Sequence, residues 1–140
     1  AGGGVSIESA ETASVLSDCG FWGNSADDGG AVWLDNQVRI ERCVLQGNTA
    51  NKAGGGVAAL FSVDLRNCTL KENYSFAGGA VVLFSPGLLT GCIFLANIAQ
   101  YGGAIAIHTR VGHEDLLEAT LTGCIFTNNS APFTGSAVFV

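Results

Sequence analysis

Cys92-Ile93-Phe94-Leu95-Ala96-Asn97, followed after four residues by Gly102-Gly103-Ala104-Ile105, decides how this chain folds. The same offsets recur along the whole sequence. Cys19, Cys43, Cys68, Cys92 and Cys124 are each followed five residues later by an asparagine: Asn24, Asn48, Asn73, Asn97 and Asn129. Two residues after each Cys stands a large apolar side chain: Phe21, Leu45, Leu70, Phe94 and Phe126. Three residues before each stands an aliphatic one: Leu16, Ile40, Leu65, Leu89 and Leu121. A small-residue strand start follows each asparagine, at Gly29-Gly30, Gly54-Gly55, Gly78-Gly79, Gly102-Gly103 and Gly135-Ser136, and Gly2-Gly3-Gly4-Val5 is a further copy at the front.

Self-similarity at a fixed period is the signature of a repeat architecture. The Cys-to-Cys spacings are 24, 25, 24 and 32. Within each repeat, apolar residues alternate with period two, the mark of strands. Val32 and Leu34, Val81 and Leu83, Ile105 and Ile107, and Val138 and Val140 fall on one face, taken as inward. The reading is an all-β, right-handed parallel β-helix of about five coils, forming a single domain over 1–140 or a segment of a longer solenoid. The handedness follows the rule for parallel crossovers. The eight extra residues before Cys124 predict an inserted loop in the fourth coil, around Arg110 to Glu118.

Stacked coils place like on like at about 4.8 Å. This predicts a Cys ladder (Cys19, Cys43, Cys68, Cys92, Cys124) and an Asn ladder (Asn24, Asn48, Asn73, Asn97, Asn129). Buried carboxamides need partners, and stacked ones satisfy each other from coil to coil. The cysteines read as small buried hydrophobes. Neighbouring Cβ atoms one rung apart are slightly far for a disulfide, which prefers about 3.5–4.5 Å. Rung-to-rung disulfides are the second reading. A one-dimensional ladder supplies no tetrahedral metal site.

Composition limits the function. The chain has 140 residues, is 48% hydrophobic and only 13% charged, and carries a net charge of −6. Its six Lys and Arg are scattered, so no phosphate-tracking stripe forms and nucleic acid is not expected as a partner. No apolar run reaches the roughly 18 residues of a membrane-spanning helix. The sequence shows no initiator Met and no signal-peptide pattern, as for a mature product or a piece of something longer.

Phe21-Trp22-Gly23-Asn24, Phe94-Leu95-Ala96-Asn97 and Phe126-Thr127-Asn128-Asn129 match an F-x-x-N motif, and the Gly-Gly-Ala-Val/Ile tetrads match its companion G-G-A-[ILV]. Together they resemble the repeat of the chlamydial polymorphic outer membrane proteins. The resemblance covers nearly the whole chain and implies a β-helical domain of surface adhesion or surface structure, extracellular or at the cell surface. Leu45 and Leu70 depart from the motif Phe, and Ser136 from a motif Gly. The resemblance carries no catalytic residues.

No residue is assigned a catalytic, cofactor-binding or metal-binding role. The best catalytic candidates stand in the inserted loop and beside it, at His108, Arg110, His113, Glu114, Asp115 and Glu118. His113-Glu114-Asp115 can supply an acid/base pair or metal ligands, but a solvated loop carries the same residue types. Asp27, Asp28, Asp35, Glu41, Asp64 and Glu72 fall at unlike offsets, which argues against a polysaccharide lyase or hydrolase site. Asn67 and Asn128 head sequons that can accept a glycan, whereas Asn73 heads one that belongs to the buried ladder.

On the outward positions Ala31, Trp33, Ala58, Val82, Ala106 and Phe139, and Trp22, Val44, Ile93, Leu95 and Ile125, apolar residues dominate. Such a stripe suggests a covered surface, with Trp22, Trp33, Val82, Ile93, Leu95 and Phe139 as the candidate interface. The expected function is a structural or adhesive extracellular β-helix: a segment of a surface adhesin, or a fibre subunit assembled by end-to-end strand stacking. The expected partners are other copies, head-to-tail or lateral, the rest of a longer chain, or glycan. The alternatives are a carbohydrate-binding or polysaccharide-cleaving β-helix and a scaffold subunit buried in a larger complex.

Overall fold

The computed structural model describes residues 2–8, 14–108 and 119–140. The described residues contain no helix and form a parallel β-solenoid built on three sheets that run along its axis. Sheet A has six strands, Val5–Glu8, Val32–Asp35, Val57–Ala59, Val81–Leu83, Ile105–Ile107 and Val138–Phe139. Sheet B has five: Ser14–Ser17, Val38–Glu41, Val63–Arg66, Gly87–Thr90 and Ala119–Thr122. Sheet C also has five: Gly20–Trp22, Val44–Gln46, Thr69–Lys71, Ile93–Leu95 and Ile125–Thr127. The chain passes A to B to C and back to A, and every pairing is parallel between consecutive coils. A short fourth ladder begins with Ser25–Asp28 on Thr49–Ala53 and continues as single bridges through Tyr74, Ile98 and Ser130.

Three left-handed corners per coil turn the chain. They stand just before the Cys (Asp18, Arg42, Asn67, Gly91, Gly123), just before the Asn (Gly23, Gly47, Glu72, Ala96, Asn128), and at the first glycine of each pair (Gly29, Gly54, Gly78, Gly102, Gly135). Their φ values lie between 51° and 64°. The second glycine of the pair has a different cause. A Cβ on Gly30, Gly55 or Gly79 would collide with the carbonyl oxygen of its counterpart one coil on, so the backbones themselves are in contact there.

The core fills the space between the sheets with Val32, Leu34, Ile40, Leu45, Leu65, Leu70, Leu89 and Phe94, all fully buried. Phe94 and Phe126 stack at 4.8 Å between centroids with an interplanar angle of 6°, one rung apart. Down the inside runs the asparagine ladder. At Asn24, Asn48, Asn73 and Asn97 the backbone N–H and carboxamide Nδ2 both donate to Oδ1 of the next Asn at 2.9–3.1 Å. The second Nδ2 hydrogen goes to the carbonyl of the preceding coil's Phe21, Leu45, Leu70 or Phe94. All five cysteines are free thiols, so rung-to-rung disulfides are not formed. Each thiol donates to the carbonyl two residues earlier, as Cys68 does to Arg66 at 3.3 Å.

The inward and outward assignments need one correction of face, at Ala31, and differ in exposure at Val82 and Val140. Ala31 faces in, not out, because it sits on the corner and packs with Ala80 and Ala104 in the core. Val82 does lie on the outer side of sheet A, yet it is fully buried and unavailable to a partner. It clusters with Ala53, Ala58, Ala77 and Ala106, flanked by Trp33, Phe84 and Phe139, so this part of the apolar stripe is covered by the chain itself. Val140, placed on the inward row, is 85% exposed.

Candidate ligand groove and outer surfaces

Outward residues of sheet B stand four before each Cys: Val15, Arg39, Asp64, Leu88 and Thr120. With Gln37, Ser62 and Pro86 from the A-to-B connections, they line a groove of about 550 Å³. It crosses the rungs from Ser14 to Thr120. At its centre Arg39 Nε donates to Asp64 Oδ2 at 3.2 Å. Arg66 holds the same carboxylate from the next outward position, with Nε 2.8 Å from Oδ1 and Nη2 2.8 Å from Oδ2. The Arg66 hydrogen bonds, helped by those from Arg39, hold the Asp64 carboxyl below the usual carboxylate range. Asp64 and Arg39 share one repeat offset and form a cross-coil pair, although the acidic residues themselves fall at unlike offsets. The signal was there: opposite charges at the same distance before consecutive cysteines.

Other polar pairs also bridge coils. Arg42 forks onto Asp18 at 2.8 and 2.7 Å, and Asn51 donates to Asp27 at 2.8 Å. The Asp18 carboxyl is lowered by its Arg42 hydrogen bonds. The Cys ladder behaves differently: burial pushes the Cys43 thiol up to about 11.

A second surface is aromatic. Tyr101 lies 5.5 Å from both Phe76 and Phe133, centroid to centroid, and 5.8 Å from Phe139. His108 stacks on Phe84 at 5.8 Å and meets Phe139 edge-on. Phe133 is 63% exposed. Sequence reasoning reached Phe139 through strand alternation but missed Phe76, Tyr101 and Phe133. They occupy the irregular stretch between the Asn and the glycine pair, where no period guides the eye.

Of the candidate interface, Trp22 and Ile93 are exposed, Trp33, Leu95 and Phe139 are half-buried, and Val82 is inside. The Trp22 ring lies over Gly20, where a Cβ would collide with it. Asn67 and Asn128 are both exposed corner residues, whereas Asn73 is fully buried. Arg110, His113, Glu114, Asp115 and Glu118 lie outside the described residues, as does the expected loop. Among the described residues, no three His, Cys, Asp or Glu side chains converge on a metal site, and no helix is long and apolar enough to cross a membrane.

A scan against protein-family models and searches of curated proteins and of solved structures found no match.

Proposed function

We propose that this chain is a structural or adhesive β-solenoid working at the cell surface or outside it, as a segment of a surface adhesin. The observation that carries this reading is that the interior polar groups are spent on cohesion. Asn48, Asn73 and Asn97 are buried and bonded coil to coil, and the cysteines bond to backbone carbonyls. What remains for interaction is the outer surface, held on stiff parallel ladders. The F-x-x-N and G-G-A-[ILV] resemblance supports the same reading.

The test is an adhesion assay with the purified 140-residue chain coated on beads, scored on cultured cells and extracellular matrix, beside an assay for reducing ends released from polysaccharides. Adhesion without cleavage is the expected result. Cleavage, or a folded chain that adheres to nothing, overturns the reading. The aromatic band at Phe76, Tyr101 and Phe133 favours a second reading, a scaffold subunit that buries this band in a larger complex.

A further inference from the structure

We propose that the groove on sheet B binds a linear neutral polysaccharide, with the Arg39–Asp64 pair gripping a vicinal diol. The inference rests on the adhesive reading and names its ligand. Shape comes first. The groove crosses successive rungs, so it runs along the solenoid axis. Rungs are about 4.8 Å apart, and a trough of that kind suits an extended chain rather than a compact ligand.

The lining chemistry sets the class. Arg39 uses Nε on Asp64, and a guanidinium has five N–H donors in a fixed fork. Its remaining donors stand beside a carboxylate that accepts hydrogen bonds. A donor and an acceptor side by side are complementary to two adjacent hydroxyls, each of which donates and accepts. Ser14, Ser62 and Thr120 hydroxyls and the Gln37 carboxamide extend this along the groove. Val15 and Leu88, both exposed, and Pro86 offer apolar contact to the C–H faces of sugar rings.

Charge excludes the polyanions. Arg39 and Arg66 against Asp64 leave one positive charge in excess at the pair, but the chain carries −6 overall, which repels an acidic polymer. Asp64 itself is unsuited to act as a general acid. Glycoside hydrolysis needs two carboxyl groups, one of them protonated. Among the described residues that line the groove, Asp64 is the one carboxylate, and two arginines keep it ionised.

The experiment is retention of the 140-residue chain on immobilised linear β-1,3-glucan, β-1,4-glucan, β-1,4-xylan and α-1,4-glucan, with heparin as the polyanion. Retention by at least one neutral glycan is expected, and none by heparin. Arg39→Ala and Asp64→Ala should each weaken it about tenfold, one hydrogen-bonded contact in affinity terms. Thr127→Ala, exposed on sheet C outside the groove, should leave it unchanged. Thermal melts of each variant confirm the fold. No retention on any neutral glycan, stronger retention on heparin, or an Arg39→Ala variant that binds as before overturns the inference. If cell adhesion then survives, the adhesive reading stands and its ligand site lies elsewhere.

Discussion

Asn73 gives Asn97 both of its inner donors: the backbone N–H lies 3.1 Å and the carboxamide Nδ2 3.0 Å from the same Oδ1. Asn73 Oδ1 in turn accepts the same pair from Asn48. Replacing Asn73 by Ala therefore strands two donors of Asn48 and the Leu45 carbonyl in a dry interior. Each buried group left unsatisfied costs about 1–3 kcal/mol. Asn73→Ala should lose roughly 3 kcal/mol or more, and Asn24→Ala, in the partly buried first rung, should lose less. Urea unfolding of both variants checks the ranking. Equal losses would mean that the ladder has no cooperative interior.

The left-handed corners give a prediction of opposite sign. Ala96 holds φ 54° before Asn97, while Gly47 holds φ 64° at the equivalent place before Asn48. A Cβ at Gly47 would meet nothing within 4 Å, so only backbone conformation distinguishes the two positions. A non-glycine residue in the left-handed region costs roughly 1–2 kcal/mol, offset by about 0.4–1 kcal/mol of unfolded-state entropy. Ala96→Gly should stabilise the chain by about 0.5–1 kcal/mol, and Gly47→Ala should destabilise it by a similar amount. Gly54→Ala adds a collision with the Val57 carbonyl and should be far worse. Melting temperatures of the three variants separate the conformational effect from the steric one.

What was legible in the sequence was whatever the stacking repeats. Cys, Asn and Phe/Leu hold fixed offsets because each must meet its own kind one rung away, so the solenoid and both ladders could be read from spacing alone. The corners were only half visible: glycine marks the paired-glycine corner, but Asp18, Arg42, Asn67, Glu72 and Ala96 take left-handed φ with no shared chemistry. Alternation failed at Ala31 because a corner residue belongs to no strand face. It also misjudged Val82, since an outward side chain is not exposed when neighbouring chain packs over it. The sheet B groove escaped notice because its shape comes from the A-to-B connections, which carry no repeat.

Acid should weaken the outer pairs before it touches the core. The Asp18 and Asp64 carboxyls lie below the ordinary range because arginines donate to them. A carboxyl depressed in the folded state contributes stability that is present above its unfolded value, about 3.9, and lost as pH falls through the folded value. The pairs are largely solvated, with the Arg39 side chain 46% and the Asp64 side chain 23% exposed. The partly exposed Arg39–Asp64 pair contributes only about 0.2–1 kcal/mol. The melting temperature should therefore be flat from neutral pH to about pH 5 and fall by a few degrees below about pH 4. Asp64→Asn should flatten that fall. A steep loss already at pH 6 would point to a different group.

Alkali should act through the Cys43 thiol. Burial pushes the Cys43 thiol up from 9.0 to about 11, so the folded state holds it neutral where the unfolded chain would ionise it. The sign is that of a raised group: its contribution is whole below the unfolded value and disappears as pH rises through the folded one. Stability should thus decline from about pH 9 upward. The thiolate is the nucleophile, and Cys43, Cys68 and Cys92 are shut away from solvent. At pH 8 a small disulfide reagent should react with Cys19 and Cys124, the half-buried ends of the ladder, well before these three. All five should react at once in denaturant. Fast labelling of Cys68 in the native chain, followed residue by residue by mass spectrometry, would show that the solenoid opens in the middle rather than fraying from its ends.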